Sequence, residues 1–252
     1  MLRVFNDLES LSRAAATKFI QIANESATQR GRFLVALNGG GTPKRLFQLL
    51  ASAPDKMDWA RARVFWGDER LVPATDPESC YGMAKEILLD RVPIPADNIH
   101  RVLSDLKPAE AASDYARVLK RFASPPLDWP RFDLLLLGMG GDGHTASLFP
   151  GSPVDATEPV LAVTAHYQGR PARRVTLTPP VFNSAREVMF LAAGASKAEA
   201  LKHVLNGENP LQYPAARIHP AEGNLMWFVD DAAASALTPG PVSDRPTGRG
   251  EN

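Results

Sequence analysis

A single cysteine, Cys80, occurs among the 252 residues. No intrachain disulfide can therefore staple the fold, and a reducing compartment fits. No run approaches the roughly 18 apolar residues that a membrane span requires. Charge of one sign is not in excess: 28 Lys and Arg balance 28 Asp and Glu. That argues against a whole-surface affinity for nucleic acid or anionic membrane and leaves a local basic pocket open. The first ten residues carry Arg3, Asp7 and Glu9 where a signal peptide needs an apolar core. His100, His166, His203 and His219 lack paired ligand spacing, so no zinc site is expected. No Gly-x-Ser-x-Gly elbow is present, and Ser147 lies between Ala146 and Leu148. The expectation is a cytoplasmic globular protein without a metal, long enough to bury its own core.

What is present is an alternation of short apolar runs with amphipathic stretches. Asn6 and Glu9 have capping-box spacing, and Leu8, Leu11, Ala15, Phe19 and Ile22 continue as a helix to Gly31. Residues 32–37 read as a buried strand, followed by Asn38-Gly-Gly-Gly-Thr-Pro43. Thr42 suits a helix N-cap and Pro43 the first turn. Residues 61–66 read as a strand; Asp68, Glu69 and Arg70 follow at its carboxyl end, either a solvated loop or a functional triplet, and then comes a proline-rich loop. Helices are expected over 79–90 and 108–122, with a short strand near 99–103. Strands are expected over 159–164, 174–178, 188–193 and 225–229, with a break at Pro179-Pro180 and a helix containing Lys197 by residue 205. Asp230 or Asp231 is expected to cap a last short helix. The pattern predicts an α/β fold: one domain over 1–237 around a mostly parallel sheet, helices on both faces. Residues 238–252 are nearly devoid of apolar side chains and read as a disordered tail.

The most informative stretch is Phe132-Asp-Leu-Leu-Leu-Leu-Gly-Met-Gly-Gly-Asp-Gly-His144. Four consecutive leucines describe a strand buried on both faces. Four glycines within six positions then bring Asp142 and His144 to its carboxyl end, the edge where open parallel sheets bind ligands. Gly138 to Gly143 also matches the dinucleotide spacing. That fingerprint opens a helix, however, and Pro150 and Gly151 interrupt any helix here. An imidazole oriented by a carboxylate suits proton transfer near neutral pH. The loop Gly39, Gly40, Gly41 and Thr42 is either a phosphate cradle at a helix N-terminus or a plain tight turn. Arg70, Arg173, Arg174 and Lys197 are further candidates for an anion, and Lys197 also reads as a solvated lysine.

Four blocks occur in order: Asn38-Gly-Gly-Gly-Thr-Pro-Lys44, Trp66-Gly-Asp-Glu-Arg-Leu-Val-Pro73, Leu137 to Pro150, and Arg174-Val-Thr-Leu-Thr178. Together they resemble the 6-phosphogluconolactonase family. The resemblance implies a Rossmann-like fold of the sugar-phosphate isomerase/deaminase type. It also implies a cofactor-free hydrolase of 6-phosphoglucono-δ-lactone in the oxidative pentose phosphate pathway. It implies His144 as general base, with Asp142 and Arg70 as polar active-site partners. Gly39, Gly40, Gly41, Thr42, Asp68, Arg174 and Lys197 are its implied substrate and phosphate contacts. Whether Arg70 serves the oxyanion or the phosphate is open. The family commonly has serines at positions 38 and 41 and asparagine at 80, where this chain has Asn38, Gly41 and Cys80. The expected partner is a small sugar-phosphate lactone, with no nucleic acid or membrane, in a monomer or small homo-oligomer. The competing readings are an amino-sugar-phosphate isomerase or deaminase, and a non-catalytic sugar-phosphate-binding regulator.

Overall fold

The structure is a computed structural model that describes residues 1–153 and 155–237. The tail expected over 238–252 lies outside the described residues. In chain order the elements are β1 (Leu2–Phe5), α1 (Leu8–Arg30), β2 (Phe33–Leu37), α2 (Pro43–Ala51), β3 (Ala62–Trp66) and β4 (Asp68–Arg70). Next come α3 (Cys80–Ile87), α4 (Pro108–Lys120), β5 (Leu134–Gly138), β6 (Val160–Thr164) and β7 (Arg173–Leu177). The chain continues through α5 (Pro179–Asn183), β8 (Glu187–Ala192), α6 (Ala198–Leu205) and β9 (Asn224–Asp230).

Six strands form one parallel sheet in the order β1-β9-β8-β5-β2-β3. Alternate residues of the central strands face opposite sides, and both sides are apolar. Leu34, Ala36, Leu135, Leu137 and Phe190 enter one core beneath α4 and α6. Phe33, Val35, Leu37, Leu134 and Leu136 enter the other, beneath α1 and α2. This explains the unbroken leucine run, since neither face of β5 meets water. The strand order reverses between β2 and β5, because β2 leads outward to β3 and β5 leads the other way to β8. Such a switch point opens a crevice at the carboxyl ends of the two strands.

Local expectations needed six corrections. The cap of α1 is Asp7, whose carboxylate accepts from the Ser10 N–H at 2.7 Å, not Asn6 with Glu9. Thr42 occupies the N-cap of α2 but already has helical dihedrals, and its hydroxyl makes no capping bond. Asp68–Arg70 is not a loop. It pairs antiparallel with β7, which pairs with β6, in a second sheet of three strands that the sequence reading missed. Residues 99–103 contribute only an isolated bridge from Ile99 to Val64. Pro179-Pro180 opens α5 instead of breaking the chain, since proline is tolerated in a first turn. Residues 231–236 form turns rather than a helix, with Asp230 accepting from the Ala233 N–H. The edge strand β1 was also missed; four residues carry too little periodicity to be read.

Candidate active site

Two loops leave neighbouring strands at the switch point. After β2, residues 38–42 lead into α2. After β5, residues 139–149 form turns, so the dinucleotide spacing opens no helix. The second loop is tightly folded on itself. The Gly140 N–H donates to the His144 carbonyl at 2.8 Å, and the Thr145 hydroxyl donates to the Gly138 carbonyl at 2.9 Å. A Cβ on Gly140 would run into the His144 ring and the Asp142 carboxylate. Gly143 adopts φ +80° and packs against Tyr213.

Within this loop His144 Nδ1 lies 2.6 Å from Asp142 Oδ1, which also accepts from the His144 backbone N–H at 3.1 Å. A carboxylate cannot donate, so Nδ1 carries the proton and Nε2 is the basic nitrogen. Burial pushes the Asp142 carboxyl upward. The hydrogen bond from His144, its charge and backbone N–H groups outweigh that and leave it below the ordinary carboxylate value. The His144 ring packs in a three-ring cluster with Phe149, 4.5 Å away at 30°, and Tyr167, 4.8 Å away and edge-on.

The small sheet supplies the cations. Arg70 and Arg174 are directly opposite in the β4–β7 ladder. Like charges at such a position repel. Neither guanidinium uses all its donors. Arg70 donates to the Glu78 carbonyl at 2.7 Å, yet its Nε is buried without a partner among the described residues. Arg174 donates to the Pro171 carbonyl at 3.0 Å, and its buried Nη2 is unpartnered in the same sense. Burial lowers the Arg174 pKa, and Arg70 and Arg170 are among the charges acting on it. Asp68, two residues before Arg70, accepts from the buried Ser147 hydroxyl at 2.7 Å. Lys197 lies where the turn after β8 enters α6; burial lowers its pKa.

These parts share one cleft of about 180 Å³. Gly39, Gly40, Gly41, Thr42, Asp68, Arg70, His144, Arg174 and Lys197 all line it, and Asp142 stands behind His144. Arg173, also a candidate from the sequence, is exposed at the start of β7 and is not among the lining residues. The sequence reading missed Tyr167, Gln168 and Arg170, which enter from the β6–β7 hairpin. Their only signal was the turn at Gln168-Gly169, both at positive φ. Glu69, flagged in the sequence only as one of a charged triplet, is buried and accepts the N–H groups of Arg70, Cys80 and Tyr81 at 2.7–2.8 Å. Burial raises the Glu69 pKa despite those bonds. Among the described residues no group of three or more His, Cys, Asp or Glu could hold a metal ion.

A family model described as glucosamine-6-phosphate isomerases/6-phosphogluconolactonase matches residues 6–227. The chain belongs to this family. A 6-phosphogluconolactonase of Nostoc is 43% identical over 213 residues, 83% of this chain and 87% of the relative. The structure of a 6-phosphogluconolactonase from Trypanosoma brucei superposes with a TM-score of 0.81. It is 32% identical and covers 94% of this chain and 98% of its own. A monomeric glucosamine-6-phosphate deaminase reaches a TM-score of 0.82 at 20% identity, covering 93% and 99%, a likeness of fold alone. The fold is thus common to both branches of the family, and residue-level similarity separates them.

Proposed function

We propose that the protein hydrolyses 6-phosphoglucono-δ-lactone to 6-phosphogluconate in the pentose phosphate pathway, with His144 as general base. The observation that carries this reading is the Asp142–His144 pair, 2.6 Å apart, opening on the same cleft as the unused donors of Arg70 and Arg174. The lactonase names of relatives over 40% identical across most of the chain support the substrate.

In the proposed reaction the 6-phosphate rests on the backbone N–H groups of 39–42, where α2 begins, and on Lys197. His144 Nε2 takes a proton from water as the oxygen attacks the lactone carbonyl. Asp142 stabilises the imidazolium that forms. The tetrahedral oxyanion is met by charged donors of Arg70 or Arg174. Such donors are typically worth about 3 kcal/mol in the transition state. The intermediate collapses with loss of the ring oxygen, which takes back the proton from Nε2. The products balance as one carboxylate, one hydroxyl and a released proton.

His144→Ala should reduce turnover by roughly 10²–10⁴-fold with the fold retained. The assay follows freshly generated 6-phosphogluconolactone, corrected for spontaneous ring opening. Unchanged activity in the variant would remove His144 from the mechanism. Ammonia release from glucosamine 6-phosphate by the wild type would instead place the protein in the deaminase branch.

A further inference from the structure

At the opposite end of the same central strands lies a second basic cleft, which the lactonase chemistry does not use. It is lined by Arg30, Arg32, Leu34, Ser124, Arg131, Asp133 and Arg186, and its volume is about 330 Å³. Arg30 ends α1, Arg32 precedes β2, Arg131 precedes β5 and Arg186 precedes β8. The cleft thus follows the amino ends of three adjacent strands, about 16 Å from their carboxyl ends.

Four arginines and one carboxylate line this cleft, and Arg30 and Arg186 pair with that carboxylate. Asp133 is buried and already satisfied: it accepts from Arg30 Nε at 2.7 Å and from the Leu34 N–H at 2.8 Å. Arg186 Nε lies 3.3 Å from the same Asp133 oxygen that Arg30 uses, but it is buried and makes no hydrogen bond among the described residues. One carboxylate oxygen therefore faces two cations. Arg131 is fixed by the carbonyls of Ser184 and Glu222, and Arg30 by Ser26 and Gln29. Fixed guanidinium forks are pre-organised for an oxyanion. The acids Glu25, Glu187 and Glu222 line an adjoining depression, which shares Arg30, Arg131, Asp133 and Arg186 with the cleft and leaves out Arg32. Glu222 does reach Arg131 at 3.2 Å, but its side chain is 80% exposed and such pairs are weak. Burial, with the charges of Arg30 and Arg131, lowers the Arg186 pKa against the opposing pull of Asp133.

We propose that this cleft is a second anion site, which takes a phosphate dianion, free or as an ester, through Arg32, Arg131 and Arg186. One phosphate would offer acceptors to the Arg32 and Arg186 guanidinium groups, for which the cleft itself holds one carboxylate. The inference stands independently of the reaction in the catalytic cleft.

The test is titration of the full chain with inorganic phosphate and, separately, with glucose 6-phosphate. Ionic strength is held constant with chloride, and the arginine Nε–H resonances are followed by NMR. Arg32 and Arg186 signals should shift and saturate. Arg32→Gln and Arg186→Gln should each weaken that saturation about tenfold, while kcat and KM for the lactone stay unchanged. Lys197→Ala, which alters the catalytic cleft, should leave it intact. Tighter saturation by the ester assigns the site to a phosphorylated metabolite, and equal saturation assigns it to phosphate itself. Shifts that never saturate, or saturation unchanged in both glutamine variants, would overturn the proposal. Arg32 is outside the Asp133 ion-pair network, so its variant serves even if Arg186→Gln folds poorly.

Discussion

Tyr167 was invisible as a functional residue in the sequence, because a lone tyrosine in a polar turn has no periodic context. In the structure its ring stands edge-on to His144, and Phe149 packs against both rings. An edge-on aromatic contact is worth about 1 kcal/mol beyond its area. Tyr167→Phe should therefore keep turnover within about twofold, whereas Tyr167→Ala should lower kcat by roughly tenfold or less. The pH profile of kcat/KM should move in the alanine variant and stay in place in the phenylalanine variant; identical profiles would deny Tyr167 a positioning role. Cys80, by contrast, was legible as a departure and its reason was not. Its thiol sits against Gly39, where any Cβ would collide with it. Burial pushes the thiol pKa well above its usual value, so Cys80 fills space under the glycine loop and is a poor nucleophile.

Among the elements, α3 shows how the site is braced. Ser79 caps it, accepting from the Gly82 N–H at 2.9 Å, and its hydroxyl reaches Glu69 at 3.2 Å. Glu69 precedes Arg70, so the helix cap and the cleft arginine share one network. Ser79→Ala should cost about 1 kcal/mol in urea unfolding. It should raise KM more than it changes kcat, because Arg70 loses its support; a change in stability with no change in KM would separate cap from cleft. The long elements were readable since their apolar positions repeat: Leu11, Ala15, Phe19 and Ile22 in α1 are all buried. The three-stranded sheet was not. Asp68-Glu69-Arg70 is all charge, and only pairing with β7 makes it a strand. The same concealment hid the confrontation of Arg70 with Arg174, which depends on register and has no signature in either segment alone.

For the molecule as a whole, the two cores on either side of one sheet make stability a shared property. Phe190 stacks on Trp227 at 3.9 Å within the first core, and Phe190→Ala should cost about 3–5 kcal/mol. His100 adds a pH term. It packs against both Phe65 and Phe122, and burial, with Arg121 and Arg63 nearby, pushes its pKa down to about 4. The unfolded chain binds this proton near pH 6.5, before the folded one does. The stability it contributes is therefore complete above pH 6.5 and is lost as pH falls to about 4. Urea midpoints measured across that window should fall less steeply for His100→Phe than for the wild type; parallel slopes would show that other groups set the acid limb. The overall fold class was legible because a sheet buried on both faces demands unbroken apolar runs. The meeting of the two glycine loops at one cleft was not, because strand order is a global property that no local segment encodes.

Gly67 joins these scales. Its N–H donates to the Leu37 carbonyl at 2.8 Å and its carbonyl accepts from the Leu177 N–H at 2.8 Å, so one residue sews the large sheet to the small one. A Cβ there would meet only ordinary contacts, the nearest being the Leu37 carbonyl at 3.6 Å. The protein thus works as a caliper with a main-chain pivot, one jaw bearing the imidazole and the other the arginines. Its gape is fixed by peptide groups, which substitution of side chains leaves in place. Residues on either jaw are free to change the chemistry without changing the span, which suits one scaffold to sugar phosphates of similar length and different reactivity.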